Sequence, residues 1–279
     1  MLDKKAKVKN IKDLGARNYL LTLNTPEQAR LVRPGQFVML KCVENVYENP
    51  LLRRPFSIFD IHRSARSGKP VGLELLVKDV GTGTHKLVQA RPGQLLDCLG
   101  PQGRGFQISA EMRNRVEIAC LVAGGVGIAP FFLLAQNLLA YEVKPVLFYG
   151  GTNIADLVLR EHFERTGMET VYTTEDGSYG ERGLVTQPFA QFLKAYDRKN
   201  IRVYACGPWR MMKAVHELSV KHDLKCEVSL EARMGCSLGA CLGCVIRSRN
   251  YQSEEQFIRV CQEGPVLDSR LIDWDMAPV

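Results

Sequence analysis

Strand-like and helix-like runs alternate in the second half of the chain, and this alternation constrains the fold more than any other feature. The strand-like runs are VEIACLVA, PVLFYG, TVYTT, IRVYACG and CEVSLEA. The helix-like runs between them are IAPFFLLAQNLLA, IADLVLREHFER, VTQPFAQFLKAY and PWRMMKAVHELSVKHD. Strands that helices cover on both faces are continuously apolar. The pattern therefore predicts a parallel sheet flanked by helices over residues 111–226.

The two ends of the chain differ from this middle part. Residues 1–110 contain short apolar runs such as FVMLKC and LELLVKDV, separated by turn signals such as RPGQ. Many short strands with Pro-Gly turns favour an antiparallel β-barrel. Residues 227–279 have no long periodic run and are rich in Cys and Gly. We therefore expect three parts, a barrel (1–110), an α/β domain (111–226) and a small C-terminal segment (227–279).

Composition narrows the functional class. The 279 residues carry 37 Lys and Arg against 30 Asp and Glu, and the excess is scattered, which argues against nucleic-acid binding. No segment has the length of a membrane span, and the start MLDKKAKVKNI lacks the apolar core of a secretory signal. We expect a cytoplasmic protein that does not interact with a membrane.

Four cysteines near the C-terminus have the spacing of metal ligands. Cys236, Cys241, Cys244 and Cys261 form C-x4-C-x2-C-x16-C, the spacing of plant-type [2Fe–2S] ferredoxins. Small residues between them allow backbone N–H groups to turn towards the sulfurs. A zinc site with four thiolates remains an alternative, although such sites more often show paired C-x2-C motifs. The cysteines outside this spacing are predicted to be buried thiols: Cys42, Cys98, Cys120 and Cys226.

Two short motifs in the first part indicate a flavin site. RRPFSIFD (residues 53–60) joins arginine, proline and serine to an apolar strand, and GTGT (residues 81–84) follows. A flavin needs an apolar wall, a hydrogen-bond partner near its reactive ring nitrogen, and cations or backbone N–H groups for its pyrophosphate. Each motif alone is compatible with an ordinary strand or turn. The residues that we expect to meet these needs are Arg54, Pro55, Phe56, Ser57, Gly83 and Thr84.

The turn after the first strand of the parallel sheet is predicted to bind a dinucleotide. In VAGGVGIAPF, three glycines permit close backbone approach, and the helix that follows favours a phosphate at its N-terminus. The motif is not the full G-x-G-x-x-G fingerprint, so a tight structural turn remains an alternative. The predicted contacts are Gly124, Gly125, Gly127, Ile128, Ala129 and Pro130.

A second turn of the α/β part is predicted to complete this site. In ACGPWRMMKAV, Cys206, Gly207 and Pro208 follow a strand at the carboxyl edge, where open α/β sheets bind ligands. Cys206 alone is equally well explained as a small buried hydrophobic residue. Glu175 and Asp176 follow TVYTT, and an acidic group there favours NAD over NADP because it binds ribose and repels a 2′-phosphate.

The order of these motifs resembles a known family. RPFSI, GTGT, GPQGRGF, LVAGGVGIAPF, TTEDGSYGERG, ACGPWRMMKAV, SLEARMGCSLGACLGC and RVCQEGP together resemble the electron-transfer subunit of two-subunit, NAD-linked (type B) dihydroorotate dehydrogenase, in the ferredoxin reductase superfamily. The resemblance implies an FAD-binding barrel, a nicotinamide-binding domain and a [2Fe–2S] segment. It also implies that Leu76, Val77 and Lys78 lie against the flavin. The chain departs from the pattern of this family at two places. Phe56 stands where an aliphatic residue is common, and the last motif reads EGPVL where the family usually has Phe as its final residue.

The resemblance also implies a division of labour. An FMN-containing partner subunit oxidises dihydroorotate in pyrimidine biosynthesis, and this chain passes the electrons through the cluster and FAD to NAD+, in a heterotetramer with two of each subunit. By this likeness the catalytic residues are Ser57, which hydrogen-bonds the flavin ring nitrogen that exchanges hydride, and Cys206, which lines the nicotinamide pocket. Arg54 and Lys78 offset the negative charge of the flavin. The cysteine loop, with Ala240 at its centre, is predicted to dock on the partner.

Two alternatives remain open. A diaphorase subunit of a sulfite reductase or hydrogenase would use the same cofactors, although the sixteen-residue gap before Cys261 is longer than those relatives tend to have. A nucleotide-binding protein with a structural zinc site at the four cysteines would bind a ligand without redox chemistry. Flavin and [2Fe–2S] both absorb visible light and zinc does not, so colour separates the two classes.

Overall fold

The computed structural model describes residues 1–43, 47–196, 200–250 and 256–277. It consists of a closed barrel, a seven-stranded sheet with helices on both faces, and a two-stranded sheet near the C-terminus. This architecture confirms the predicted fold class. Within the described ranges, no helix combines the length and the apolar character that crossing a bilayer requires.

The first part of the chain closes into a six-stranded antiparallel barrel in the order β1-β2-β5-β4-β3-β6. Alternate side chains fill its interior, where Leu21, Val38 and Leu73 are fully buried. The elements of this part are β1 (Leu2–Gly15), β2 (Asn18–Asn24), α1 (Pro26–Ala29), β3 (Phe37–Leu40), β4 (Arg54–Arg63), β5 (Pro70–Lys78), α2 (Thr82–Val88) and β6 (Leu95–Gln102).

The rest of the chain alternates between strands and helices, as the apolar runs predict. Its strands are β7 (Ile118–Gly124), β8 (Lys144–Gly151), β9 (Glu169–Thr174), β10 (Glu181–Arg182), β11 (Ile201–Cys206), β12 (Lys225–Ser229), β13 (Val245–Arg247), β14 (Phe257–Arg259) and β15 (Val266–Asp268). Its helices are α3 (Phe131–Ala140), α4 (Arg160–Glu164), α5 (Thr186–Ala195) and α6 (Trp209–Lys221). Helices α3 and α4 cover one face of the sheet, and α5 and α6 cover the other.

One predicted helix is much shorter than its apolar pattern suggests. In IADLVLREHFER only Arg160–Glu164 is α-helical, and a separate 3₁₀ turn covers Ile154–Asp156. The Asn153 side chain caps that turn by accepting from the Ala155 N–H at 2.9 Å. Leu159 adopts a left-handed φ of 60°, which interrupts the helix while the leucine side chain stays buried.

The C-terminal segment is built into the large sheet. The strand order is β10-β9-β8-β7-β11-β12-β15, and β15 pairs antiparallel with β12. The predicted boundary between residues 226 and 227 falls inside β12. The chain therefore leaves the sheet after β12, forms the cysteine loop and the β13–β14 sheet, and returns to the same edge.

Aromatic rings join the barrel to the α/β part. Phe59 of β4 stacks on Phe132 of α3 with 4.9 Å between ring centroids, and Phe163 of α4 packs edge-on against both. Next to them, Asp60 accepts a hydrogen bond from the Ile61 N–H at 2.8 Å. Offset and edge-on ring pairs add stability beyond the area that they bury, so this contact holds the two parts together.

Candidate functional site

A cavity of about 850 Å³ lies at the carboxyl ends of β7, β8 and β11. Seven of the residues predicted from the sequence contribute to its wall: Gly124, Gly125, Gly127, Glu175, Gly207 and Pro208 of the α/β part, and Lys78 of the barrel. Ligands of open α/β sheets bind at this edge. The structure thus brings the two glycine turns together with the barrel strand predicted to lie against the flavin.

The glycine turns pack so closely that side chains would not fit between them. A Cβ on Gly127 would overlap the Cys206 carbonyl oxygen. A Cβ on Gly124 would lie 2.7 Å from Pro208 Cδ and 2.8 Å from Met211 Sδ. The two turns therefore present backbone to the cavity, and exposed N–H groups suit the phosphates of a dinucleotide.

Other predicted residues of this site lie behind the cavity wall. Ile128 and Ala129 are buried in the core under α3, and Pro130 caps that helix. The Cys206 thiol is 2% exposed and is not part of the wall, and burial raises its pKa above the usual thiol range. Cys206 therefore stands at the cavity edge as a protonated, buried thiol, and its contact with nicotinamide stays a prediction.

The acidic pair after β9 is divided between the cavity and a turn. Glu175 lines the cavity. Asp176 does not, because its carboxylate accepts a hydrogen bond from the Ser178 N–H at 2.9 Å. Hydrogen bonds from Ser178 also lower the pKa of Asp176. Of the two, Glu175 is therefore the better placed to meet a bound ribose.

The cavity wall includes residues that sequence reasoning missed. Gly150 and Gly151 end β8 at the same edge, and their GG pair after PVLFY is a signal that could have found them. Glu231, two residues after β12, also lines the cavity, and no hydrogen-bond or salt-bridge partner for it occurs among the described residues. Desolvation by the surrounding protein raises the pKa of Glu231, although the residue is exposed to the cavity.

The flavin motifs meet at one end of the barrel. A Cβ on Gly83 would lie 3.6 Å from Arg54 Cγ, so RPFS and GTGT adjoin. The Thr84 hydroxyl accepts from the N–H groups of Val80 at 2.9 Å and Gly81 at 3.1 Å and so holds the GTGT turn. The structure therefore places a cation beside a glycine turn, the combination that a pyrophosphate requires.

The predicted flavin residues of β4 and β5 face two different sides of the barrel wall. Phe56 and Val77 point into the barrel core, where they are 8% and 1% exposed. Successive residues of a strand face opposite sides, so Ser57 and Leu76 lie on the outer face of the barrel, where Leu76 is buried in the core shared with the α/β part. Lys78 also lies outside, with its ammonium 3.5 Å from Asp156 Oδ1 of the α/β part. Only backbone from Phe56 and Val77 can therefore contribute to a flavin wall there.

The cysteine loop is arranged to favour thiolates. Cys236 Sγ accepts hydrogen bonds from the N–H groups of Leu238 at 3.3 Å and Cys241 at 3.4 Å. These backbone hydrogen bonds lower the pKa of Cys236 to about 6. Backbone donors that point at sulfur are what a thiolate ligand of an iron–sulfur cluster needs.

The four cysteines form two neighbouring pairs. The Cys241 thiol is close enough to Cys236 to lower its pKa, and the Cys244 thiol is close enough to Cys261 to raise its pKa. Burial raises the pKa of Cys261 to about 12. Two pairs of sulfurs fit a cluster of two metal ions, each with two thiolates. In the described part of the chain, no three His, Cys, Asp or Glu side chains surround a single metal-ion position.

Contacts with the barrel and the small sheet fix this loop. The Ser237 carbonyl accepts hydrogen bonds from Gln102 Nε2 of β6 at 3.4 Å and from Gln262 Nε2 at 3.5 Å. The Val260 N–H donates to the Cys244 carbonyl at 3.2 Å, which brings the fourth cysteine alongside the third. The remaining cysteines are free and buried, as predicted: Cys42, Cys98, Cys120 and Cys226.

Known families match both halves of this site. The iron-sulfur cluster binding domain of dihydroorotate dehydrogenase B matches residues 231–273, and the oxidoreductase NAD-binding domain matches residues 121–217. The first range contains all four cysteines of the quartet. The second contains both glycine turns of the cavity.

Two relatives resemble the chain over almost its whole length. It is 36% identical over 271 residues to the dihydroorotate dehydrogenase B (NAD(+)) electron transfer subunit of Desulforamulus reducens, covering 97% of this chain and 98% of the relative. It is 35% identical over 262 residues to the subunit of the same name from Caldanaerobacter subterraneus subsp. tengcongensis, covering 94% and 95%.

A solved structure shares the fold. The NADH-dependent reduced ferredoxin-NADP oxidoreductase matches with a TM-score of 0.80 and 24% identity, covering 98% of this chain and 91% of that one. At this level of identity the likeness shows the architecture alone.

Proposed function

This chain belongs to the family of electron transfer subunits of NAD+-linked dihydroorotate dehydrogenase B, and we propose that it carries electrons from an FMN-containing catalytic subunit to NAD+ in pyrimidine biosynthesis. One observation carries the proposal. Strand β12 ends at the dinucleotide cavity, where Glu231 lines the wall, and the cysteine loop begins at Cys236, five residues further on. A single short segment therefore links the cluster site to the nicotinamide site.

The subunit is an NAD-binding oxidoreductase, and its cofactors are FAD, an iron–sulfur cluster and NAD. A nicotinamide exchanges two electrons as hydride, a cluster exchanges one at a time, and a flavin exchanges either. The chain itself supplies the binding groups. The backbone donors at Cys236 hold a thiolate, the turns at Gly127 and Gly207 receive a dinucleotide, and Arg54 and Lys78 place positive charge near the barrel.

An exposed apolar surface beside the cysteine loop supports the partner proposal. We call it the leucine collar, and its residues are between 50% and 60% exposed: Leu51, Leu52, Leu238 and Leu242. A Cβ on Gly235 would lie 3.9 Å from Leu52 Cδ1, so Leu52 of the barrel part lies beside the start of the cysteine loop. Clustered apolar side chains next to a redox site favour a protein partner. We assign this collar to the FMN-containing subunit, in a heterotetramer with two of each chain.

The test is purification of the native complex, followed by an assay of dihydroorotate-dependent NAD+ reduction. We expect the complex to contain FMN, FAD, iron and sulfide, and the isolated chain to oxidise NADH with an artificial dye but not dihydroorotate. Oxidation of dihydroorotate by the isolated, fully loaded chain would contradict the division of labour. Recovery with a sulfite reductase or hydrogenase subunit would instead support the diaphorase alternative.

A further inference from the structure

An ion pair lies across the cysteine loop and takes no part in the functions assigned above. The Glu263 carboxylate accepts hydrogen bonds from Arg259 Nη2 at 2.6 Å, from Nε at 3.1 Å and from the Arg259 backbone N–H at 2.9 Å. Arg259 and Glu263 are both partly exposed, with side-chain accessibilities of 44% and 33%. Two hydrogen bonds from the guanidinium fix its plane far better than a single contact does, and the backbone N–H holds the carboxylate in place.

The free edge of this guanidinium faces the cysteines. Arg259 Nη1 would lie 3.5 Å from a Cβ on Gly239, which stands between the first and second cysteines of the loop. Arg259 also ends β14 opposite Val245, the residue after Cys244, and precedes Cys261 by two positions. Among the described residues, Nη1 has no carboxylate partner. A fixed positive charge therefore lies next to the cysteine loop, on the side of Gly239.

We propose that Arg259, oriented by Glu263, sets the reduction potential of the iron–sulfur cluster. The inference rests on the proposed function, in which the four cysteines hold a [2Fe–2S] cluster. Reduction adds one electron to the cluster, so a nearby positive charge stabilises the reduced form and raises the potential. Glu263 is a positioning residue that also offsets part of this charge.

If Arg259 sets the potential, neutralising Arg259 and neutralising Glu263 should shift the reduction potential of the cluster in opposite directions. Arg259→Gln removes the positive charge and favours the oxidised cluster. Glu263→Gln removes the compensating negative charge, keeps an oxygen that accepts from Arg259, and favours the reduced cluster. Arg259→Lys retains the charge and stays close to the parent protein. A purely structural ion pair would give the same direction of change for both partners.

The experiment is a redox titration of the complex with its partner subunit, in which electron paramagnetic resonance reports the reduced cluster. At the midpoint potential of the parent protein, Arg259→Gln lowers the ratio of reduced to oxidised cluster by about threefold to tenfold, where tenfold equals about 59 mV for a one-electron couple. Glu263→Gln raises this ratio. Arg259→Lys changes it less than twofold.

A matched pair elsewhere serves as the control. Glu161 of α4 and Arg165, which follows the helix, are also four positions apart, with 3.5 Å between Nη2 and Oε2, and Arg165→Gln leaves the ratio unchanged. The proposal is overturned if Arg259→Gln and Glu263→Gln leave the potential unchanged or shift it in the same direction. If Arg259→Gln fails to retain iron, Arg259→Lys and Glu263→Gln decide the question. Absence of iron and sulfide from the parent protein would refute the proposed function itself.

Discussion

Asp60, at the contact between the barrel and α3, offers a quantitative test of the structure. The pKa of this carboxyl is raised from 3.8 to about 6, mainly by burial and to a smaller extent by the nearby Glu74 carboxylate, against the lowering effect of hydrogen bonds from the Ile61 N–H and Gln136. Arg63 also faces the group and lowers the pKa. The neutral carboxyl is thus favoured in the fold, and its ionisation at neutral pH costs stability.

The size and sign of this cost follow from linkage. The folded protein binds more protons than the unfolded chain between about pH 4 and pH 6, so the contribution of Asp60 to stability falls as pH rises through this window. At about 1.4 kcal/mol per pKa unit, the penalty reaches at most roughly 3 kcal/mol above pH 7 and is about 2 kcal/mol at pH 5.5. Asp60→Asn removes the charge and keeps an oxygen for the Ile61 N–H.

Thermal unfolding of the loaded protein at pH 5.5 and pH 7.5 measures the effect. Asp60→Asn should raise the unfolding temperature by at most roughly 10 °C at pH 7.5, with a smaller gain at pH 5.5. Asp275→Asn is the control, because Lys213 lowers the pKa of that exposed carboxyl and its neutralisation brings no gain. A variant that is no more stable than the parent at pH 7.5, or whose gain grows on acidification, would refute the reasoning.

Four further predictions concern the cofactor sites. Gly127→Ala should raise KM for NADH at least tenfold in a dye assay, because the new methyl group overlaps the Cys206 carbonyl. The iron content of this variant should equal that of the parent protein. An unchanged KM would show that this turn is not at the nicotinamide site. Glu231→Gln should change KM for NADH several-fold, since it alters a carboxylate on the cavity wall, and an identical pH profile for the variant would argue against a role. Ala240→Glu should slow dihydroorotate-dependent NAD+ reduction while sparing NADH oxidation by dye; loss of both activities would contradict docking at the loop. With Glu175 on the wall, turnover should be more efficient with NADH than with NADPH, and equal efficiencies would contradict that preference.

Local patterns of the sequence were enough to predict the barrel, the alternating sheet and the glycine turns. Continuous apolar runs such as VEIACLVA identify buried parallel strands without knowledge of their neighbours. The pairing of β15 with β12 could not be predicted in the same way, because VLD is only three residues long and its partner strand lies about 40 positions upstream, with Glu227 opposite Asp268. The helix over IADLVLREHFER was overestimated because a local cap at Asn153 competes with its periodicity.

The candidate sites show a similar limit. The spacing of the cysteines, and the glycines at the ends of two predicted strands, were enough to single out the four cysteines and both turns of the cavity. The direction of Phe56 was not predictable, because alternation along a strand is visible in the sequence but the face that meets the core depends on tertiary packing. Glu231 was missed because nothing in SLEARM marks this glutamate as a cavity residue, and only the position of β12 beside β11 brings its carboxylate to the cavity.

The return of the chain from the cysteine loop to β15 has a mechanical consequence. A redox centre on a flexible tether must swing between donor and acceptor, and its rate then depends on linker length and solvent viscosity. Here both ends of the cysteine segment are anchored in adjacent strands of one sheet, β12 and β15, and Gln102 of the barrel hydrogen-bonds the Ser237 carbonyl at the start of the cysteine loop. The distance between the cluster site and the nicotinamide cavity is therefore fixed by the hydrogen-bonded pairing of β12 with β15. Electron transfer within the subunit should then depend on neither linker length nor solvent viscosity.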